Sequence, residues 1–221
     1  MTRKSIWRRP ALGPLVKRGT SRQVTGPRAG RLQLLAIALC LASCATPDTR
    51  HRIVVSIPEQ RLALLDNGAL IATYPISTSK FAIGDAPGSR GTPLGELEIA
   101  KKIGDGAISG TVFKDRRPTG EVLVPDAPGR DPIVSRILWL RGLETQNANA
   151  YGRYIYIHGT AEERNIGKRA SYGCIRMRSR DVIQLYDIVG PRARVTVVDA
   201  PLISVIPAAG GPADTTAVSS Q

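Results

Sequence analysis

The sequence predicts a mainly β domain with one helix packed on it, and three observations support this. Short runs of β-branched, aliphatic and aromatic residues recur along the chain, separated by loops dense in Gly, Pro and Asp. The dipeptide Asn67-Gly68 lies between two such runs, which is a strong hairpin signal because a tight turn needs positive φ at its centre. Only the segment 180–189 convincingly repeats apolar residues at helical spacing.

The predicted strands begin with three that follow one another closely, at 52–57, 61–65 and 69–74. Because the second and third flank the Asn67-Gly68 turn, the domain should open as a meander of antiparallel strands. The later strand candidates are 95–100, 121–124, 137–140, 154–157 and 194–198.

The predicted helix has a start signal, an apolar face and a stop signal. Ser179 can cap its N-terminus with a side-chain oxygen, and Gly190-Pro191 should end it. Its apolar face consists of Val182, Leu185, Tyr186 and Val189. A helix with one apolar face buries that face against a neighbouring element, which here is the sheet.

The N-terminal region is typical of a secretory signal. Residues 32–41 are apolar, but they are far fewer than the roughly 20 residues that a membrane-spanning helix needs. The following Leu41-Ala42-Ser43-Cys44 resembles the lipobox of bacterial lipoproteins, in which cleavage precedes a cysteine that becomes lipidated. The resemblance implies a signal peptide at 1–43 and a lipid on Cys44. The alternative is an ordinary signal peptide followed by a chance cysteine.

The remaining chain divides into three parts. Residues 45–51 are polar and predict a tether, 52–200 predict the folded domain, and 201–221, rich in small residues and Pro, predict a disordered tail. A lipid on Cys44 would hold the domain in the periplasm. Ala45 after that cysteine favours the outer membrane, and the inner membrane or a soluble secreted form are the alternatives.

The net charge of +13 would suggest a nucleic-acid or membrane partner if it were evenly spread. It is not, because residues 1–44 hold nine Lys and Arg and no Asp or Glu. The rest of the chain holds 22 basic and 18 acidic residues. The sequence therefore predicts no nucleic-acid partner, and membrane contact is expected only through the lipid anchor.

Two residues of the domain form a candidate catalytic pair. Once Cys40 is removed and Cys44 is acylated, Cys174 is the one free thiol in an oxidising compartment, which favours a functional role. His158 is the plausible base, since the second histidine, His51, falls in the predicted tether.

The local sequence suits this chemistry. A period of two in 154–158 puts Ile155 and Ile157 toward the core and Tyr156 and His158 on the polar face. Gly173 lets a substrate carbonyl approach the backbone, where successive N–H groups can converge on an oxyanion. Two plainer interpretations stay open, a small buried cysteine and a structural histidine. One His and one Cys do not complete a metal site, so no metal or other cofactor is expected.

These residues carry a resemblance to a known family. His158-Gly159-Thr160, a spacer and the run 171–177 (Ser-Tyr-Gly-Cys-Ile-Arg-Met) are similar to the active-site signature of the L,D-transpeptidase catalytic domain, also called the YkuD-like domain. The segments 61–62, 74–78 and 91–95 also resemble recurring parts of that domain. The resemblance implies a β-sandwich of mixed sheets with one packed helix, at about 180–189, and transfer of acyl groups between peptidoglycan stem peptides.

The resemblance also implies roles for individual residues. Cys174 matches the nucleophile that attacks the carbonyl of the diamino acid at position three of a stem peptide and expels D-alanine. His158 matches its base, and the carbonyl of Gly159 matches the group that orients the imidazole. The N–H groups of Tyr172, Gly173 and Cys174 match the oxyanion hole. Substrate-binding candidates are Arg176, Ser171 and Tyr156.

The chain departs from the family pattern at one position, and two alternatives to transpeptidation stay open. Tyr172 stands where the family often has a histidine, which puts the choice of acceptor and the reactivity in doubt. The thioester could be resolved by a stem-peptide amine, by a protein amine, or by water, as in an L,D-carboxypeptidase or amidase. A non-catalytic wall-binding lipoprotein is the other alternative, for which Cys174→Ala would keep full function and a carbapenem would add no mass.

Overall fold

The computed structural model describes residues 46–206, which form ten strands and one α-helix. The strands are β1 His51–Ser56, β2 Arg61–Asp66, β3 Ala69–Pro75, β4 Gly95–Ile103, β5 Thr111–Lys114, β6 Arg117–Val122, β7 Ile133–Gly142, β8 Tyr156–Thr160, β9 Ile175–Met177 and β10 Arg194–Val198. The helix is α1 Ser179–Ile188. In residues 46–206 no helix is both long and apolar enough to span a membrane.

The ten strands belong to one mixed sheet. Its order is β3-β2-β1-β10-β4-β7-β5-β6, and β8 and β9 branch from β7. The β1–β10 and β8–β9 pairs are parallel, and the other pairs are antiparallel. The prediction of a mainly β fold with mixed pairing and one helix near 180–189 is confirmed, although the strands form a single curled sheet.

The sheet branches at β7. One edge of this strand pairs with β8, while the other pairs with β5 near Val134 and with β4 from Ile137 onward. Between these two regions Ser135 sits in a bulge with φ of 67°. Its hydroxyl accepts from the N–H of Gly110 at 2.9 Å and donates to the Ser179 hydroxyl at 2.8 Å. The bend in β7 is therefore fixed to the start of α1.

The main core lies between α1 and the sheet. The four predicted apolar residues of the helix region, Val182, Leu185, Tyr186 and Val189, are all at most 2 % exposed. They pack with Ile155 and Ile157 and with aliphatic residues from β1, β2, β4, β7 and β10. Burying each such side chain contributes about 1.5–3 kcal/mol. The helix therefore fixes the chain that leads into it, which contains Cys174.

The start of α1 differs from the prediction. Arg178, and not Ser179, occupies the N-cap position, and the side chain of Arg178 makes no capping hydrogen bond. Ser179 is the first helical residue, and its N–H donates to Glu163 Oε1 at 2.8 Å. The capping acceptor comes from a distant loop, because the Ser179 hydroxyl is engaged with Ser135 in the buried interior.

The domain boundaries also differ from those predicted. Asp48, in the expected tether, accepts from the N–H of Gly190 at 2.6 Å and contacts His51 Nδ1 at 2.9 Å, so this segment is bonded to the domain. After residue 200, Leu202, Val205 and Ile206 pack on apolar residues of β1 and β2. The boundaries of 52 and 200 are thus corrected to an earlier start and a later end. Residues 1–45, with Cys44 and the predicted signal peptide, and residues 207–221 of the predicted tail lie outside the described residues.

The β5–β6 hairpin was only partly predicted. Its turn is Asp115-Arg116, and both residues have positive φ, of 50° and 65°, without a glycine to mark it. The sequence prediction therefore missed β5 and placed the following strand at 121–124, where the structure has β6 at Arg117–Val122. The three-residue strand β9 was also missed.

Lys102 on β4 stabilises the C-terminal end of α1. Its ammonium donates to the carbonyls of Tyr186 and Val189, each at 2.7 Å, where the negative end of the helix dipole lies. We expect Lys102→Met to lower the free energy of unfolding by about 1–3 kcal/mol, because two acceptors lose a charged donor. Urea unfolding measures this. Lys101→Met, at the adjacent exposed position, is the matched control, and equal midpoints for the two variants would contradict the assignment.

Candidate active site

The two candidate catalytic residues lie in the same neighbourhood, around Tyr156. In the parallel β8–β9 pair, His158 is opposite Arg176 and Ile157 is opposite Ile175. Cys174 comes directly before β9 and packs on the apolar cluster that contains Tyr156, whose ring meets the ring of His158 edge-on at 6.5 Å. The alternation predicted for β8 is confirmed, since Ile155 and Ile157 enter the main core while Tyr156 and Cys174 join a second apolar cluster.

His158 is held by the backbone of its own strand. It is only 5 % exposed, and its Nδ1 lies 2.8 Å from the carbonyl oxygen of Gly159. A carbonyl only accepts, so in the neutral ring Nδ1 carries the proton and Nε2 keeps a free lone pair. Burial lowers the pKa of His158 to about 4, and the nearby Arg176 also lowers it, against the opposing effect of the Gly159 carbonyl. The imidazole is therefore neutral near pH 7.

Cys174 is a partly exposed thiol. Its Sγ lies 3.4 Å from the carbonyl oxygen of Tyr154, to which the S–H donates. Burial raises the pKa of Cys174 to about 11, although the backbone of Tyr156 and the charges of Arg176 and Arg153 partly oppose this. At neutral pH both groups are uncharged, so a base has to take the proton as the sulphur reacts.

The turn that presents Cys174 is internally bonded. The Ser171 hydroxyl donates to the carbonyl of Cys174 at 2.6 Å and accepts from the N–H of Gly173 at 3.2 Å. Gly173 has φ of +122°, and its carbonyl accepts from the Thr92 hydroxyl at 3.0 Å. Ser171 is fully buried, and its role in substrate binding stays a prediction. Its contacts give it the role of shaping the turn.

The turn also changes the expected set of oxyanion donors. Because the Gly173 N–H already donates to Ser171, it is not free in this structure. Within residues 46–206, the N–H groups of Tyr172 and Cys174 have no acceptor. Two of the three predicted donors are therefore available to a ligand.

Arg176 is not the open guanidinium that the sequence suggested. Its side chain is 9 % exposed, Nη2 lies 2.8 Å from Asp131 Oδ2, and Nη1 lies 3.9 Å from Glu162 Oε2. A substrate carboxylate would have to compete with both acids, and the predicted role of Arg176 in substrate binding stays a prediction. Sequence reasoning missed Asp131 because it follows Gly129-Arg130 in a loop that is far from 176 along the chain.

Tyr156 lies beside the candidate pair and lines a pocket of about 300 Å³ under the β5–β6 hairpin. Its ring is 4 % exposed and contacts the rings of Trp139 and His158 edge-on. Burial raises the pKa of its phenol, and the hydrogen-bonded Arg116 in the hairpin turn lowers it. Arg116, which sequence reasoning missed, therefore links the hairpin to the site.

A metal site has no support in the described chain. Across 46–206 no three His, Cys, Asp or Glu residues are grouped so as to hold a metal ion.

Comparison with known proteins gives the family. The model of the family described as the L,D-transpeptidase catalytic domain, YkuD, matches residues 50–197. The chain belongs to the L,D-transpeptidase catalytic domain family. The YkuD protein of Bacillus licheniformis is 32% identical over 161 residues, which are 72% of this chain and 73% of that protein.

Other L,D-transpeptidase relatives are longer than this chain. ErfK/SrfK of Salmonella typhimurium, named as a probable L,D-transpeptidase, is 31% identical over 71% of this chain and 47% of its own length. ErfK/SrfK of Escherichia coli is 45% identical over the same two fractions. The chain thus spans about half the length of these two relatives. An L,D-transpeptidase of Xylanimonas cellulosilytica aligns in structure with a TM-score of 0.45 and 15% identity, over 70% of this chain and 62% of that one.

The mouth of the candidate site carries an exposed aromatic pair. The rings of Tyr172 and Phe81 are 5.2 Å apart and about half exposed. Lys80 Nζ lies 4.8 Å from the Tyr172 ring centre, and the Arg90 guanidinium lies 5.6 Å from it. Two cations therefore hold Tyr172 in place, where sequence reasoning noted only the missing histidine.

At Gly159, in the candidate site, the structure leaves no room for a larger residue. A Cβ atom at this position would lie 2.5 Å from the carbonyl oxygen of Val134 on β7. We expect Gly159→Ala to separate β8 from β7, displace His158 and lower the free energy of unfolding by about 1–3 kcal/mol. Gly152→Ala is the matched control, because the added Cβ would meet only Asn149 O at 3.7 Å. Thermal unfolding compares the two, and equal midpoints would refute the clash.

Proposed function

We propose that this chain is a peptidoglycan L,D-transpeptidase in which Cys174 is the nucleophile and His158 is its base. The observation that carries the proposal is that Cys174 packs on the cluster of Tyr156, whose ring meets that of His158, while His158 Nδ1 is bonded to the Gly159 carbonyl at 2.8 Å. That bond leaves Nε2 as the free basic nitrogen. An unprotonated imidazole beside a neutral thiol is the state that general-base catalysis requires.

In the proposed reaction, Cys174 Sγ attacks the carbonyl of the third residue of a donor stem peptide while His158 Nε2 takes the thiol proton. The N–H groups of Tyr172 and Cys174 stabilise the oxyanion, and removal of one such donor usually costs about a hundredfold or more in rate. The C–N bond then breaks, and D-alanine leaves with the proton from the imidazolium. An amine of an acceptor attacks the thioester, gives its proton to His158 and releases the thiol.

Each charged form in this scheme is disfavoured at rest, which supports concerted proton transfer. Burial raises the pKa of the Cys174 thiol to about 11 and lowers that of His158 to about 4. A pre-formed thiolate is therefore scarce, and the thiol stays unreactive until a carbonyl is positioned to accept the developing charge.

We also propose that the chain is a lipoprotein of the periplasm, anchored through Cys44. The Leu-Ala-Ser-Cys run and the preceding short apolar segment support this. Asp48 is bonded to Gly190, so only the residues between Cys44 and Asp48 would separate the lipid from the domain. Labelling cells with a clickable fatty acid tests this: the wild type should carry the label, and Cys44→Ala should not. A labelled Cys44→Ala protein would exclude the proposed anchor.

The activity is tested with purified disaccharide-tetrapeptide and mass spectrometry. The full-length wild type should give a cross-linked dimer and free D-alanine, and Cys174→Ser should give neither. Tripeptide without dimer would identify water as the acceptor and make the protein an L,D-carboxypeptidase. No product, together with no mass added by a carbapenem, would contradict the enzymatic proposal and favour a wall-binding lipoprotein.

A further inference from the structure

A second pocket lies outside the candidate active site, between the end of β3 and the first turns of α1. It has a volume of about 430 Å³ and is lined by Thr73, Tyr74, Pro75, Arg180, Asp181 and Gln184. Pockets of this size hold small ligands. The proposed transpeptidase reaction uses none of these residues.

Two buried polar atoms of this pocket lack partners. Tyr74 is 5 % exposed and Asp181 is 7 % exposed. Among the residues that the structure describes, neither the Tyr74 hydroxyl nor Asp181 Oδ2 has a hydrogen-bond partner. Leaving such a group unsatisfied costs free energy, so native proteins keep few of them. The two residues come from different elements, a strand and a helix, and both line the same pocket.

The chemistry of the two atoms selects the ligand. Burial and the charge of Asp181 raise the pKa of Tyr74, so its phenol keeps a proton to donate. Asp181 Oδ2 only accepts when ionised, and Oδ1 is already 3.1 Å from Arg180 Nε. An ammonium ligand would leave the phenol proton unused, and an anion would repel the carboxylate. A hydroxyl satisfies both, because it donates to Asp181 and accepts from Tyr74.

The rim of the pocket supplies further groups that can form hydrogen bonds with the hydroxyls of a ligand. Thr73 and Gln184 are exposed and offer a hydroxyl and an amide, each able to donate and accept. The Arg180 guanidinium balances the Asp181 carboxylate, so the lining carries no net charge at neutral pH. A neutral ligand with several hydroxyl or amide groups fits this arrangement.

We propose that this pocket binds a carbohydrate, with one sugar hydroxyl bridging Tyr74 and Asp181. If the proposed function holds, the natural ligand is an amino sugar of the peptidoglycan strand, whose hydroxyl and acetamido groups match the rim. The pocket would then hold the enzyme on the glycan while the separate cysteine site reacts with a stem peptide.

Isothermal titration of the full-length protein with the peptide-free disaccharide of N-acetylglucosamine and N-acetylmuramic acid tests the proposal. The wild type should bind, and Tyr74→Phe and Asp181→Asn should each weaken binding about tenfold or more, because each removes one partner of the bridging hydroxyl. Gln184→Leu, at an exposed position, should weaken binding without disturbing the fold. Tyr186→Phe is the matched control, because its hydroxyl bonds Asp105 outside the pocket.

A carbapenem adduct on Cys174, measured in every variant, separates this proposal from the proposed function. Adduct formation within about twofold of wild type, with loss of sugar binding only in the pocket variants, supports the carbohydrate site. If the wild type forms the adduct but does not bind the sugar, the carbohydrate site is refuted, and the two unpartnered atoms are assigned to water alone. If the wild type binds the sugar but forms no adduct, the carbohydrate site is supported and the proposed cysteine mechanism is contradicted.

Discussion

Replacing His158 by alanine is expected to lower the rate at which a carbapenem acylates Cys174 by about a thousandfold, the middle of the range for a general base. The thiol pKa is raised to about 11, so little thiolate exists near neutrality without a base to remove the proton. Stopped-flow or mass-spectrometric acylation rates measure the effect. Cys174→Ser is the blank, since it should form no comparable adduct.

The pH dependence distinguishes a base from a merely structural histidine. In the wild type the imidazole becomes protonated only near its lowered pKa of about 4, so acylation should be nearly flat from pH 8 to pH 5.5 and fall below that. In His158→Ala hydroxide has to remove the thiol proton, and the rate should rise about tenfold per pH unit until the thiol pKa is reached. Parallel profiles for both proteins would contradict the assignment of His158 as the base, whereas a wild-type midpoint near 6.5 would contradict only its lowered pKa.

The same pKa shift makes the fold sensitive to acid. An unfolded histidine binds a proton near pH 6.5, whereas the folded one does so only near 4. Because the unfolded chain binds the proton first, stability falls as the pH drops from about 6.5 to about 4 and is fully present above this window. Circular dichroism at each pH should therefore accompany the rate measurements, so that loss of base and loss of fold are separated.

The sequence was most informative about which side chains are buried within a single strand or helix. The two-residue period of 154–158 correctly separated Ile155 and Ile157 from Tyr156 and His158, and the helical spacing of 182–189 correctly identified a buried face. Both follow from local geometry, which a single segment determines. The proximity of His158 to the segment that holds Cys174, in contrast, depends on the β8–β9 pairing, which the motif suggested only through family resemblance.

Features that depend on distant partners were not predictable. Arg176 was expected to face the substrate, but it meets Asp131, which lies in a loop after β6, and no local pattern joins the two positions. Ser179 was expected to cap α1, but its hydroxyl faces the bulge at Ser135, and Glu163 supplies the cap acceptor. The orphaned hydroxyl of Tyr74 likewise shows only once β3 and α1 are packed together.

The unpredicted contact between Arg176 and Asp131 has a physical origin at the base of the candidate site. The chain brings charged and polar groups into the interior around His158, and each group needs a partner that the fold supplies from elsewhere. Arg176 lies opposite His158 in the β8–β9 pair and lowers the pKa of His158, while Asp131 opposes that effect. The Arg176–Asp131 pair therefore contributes both to stability and to the electrostatics of the base.

Removing one member of this pair should be costly. Asp131→Ala leaves the guanidinium of Arg176 buried, with Glu162 3.9 Å away as its remaining acid. The Thr160 hydroxyl also loses its acceptor, Asp131 Oδ1. We expect the free energy of unfolding to fall by about 3–5 kcal/mol, the range for breaking a buried ion pair. Guanidinium unfolding measures the loss.

The matched control is Glu121→Ala, which breaks the exposed ion pair with Arg130 and should cost at most about 1 kcal/mol. The double variant Asp131→Leu/Arg176→Met should be more stable than Asp131→Ala alone, because no unpaired charge stays buried. Equal losses for Asp131→Ala and Glu121→Ala would show that the Arg176 charge is solvated, and Arg176 would again be open to a substrate carboxylate. A large loss in the single variant that the double variant relieves would show that Arg176 and Asp131 form a buried ion pair in which neither charge tolerates the loss of the other.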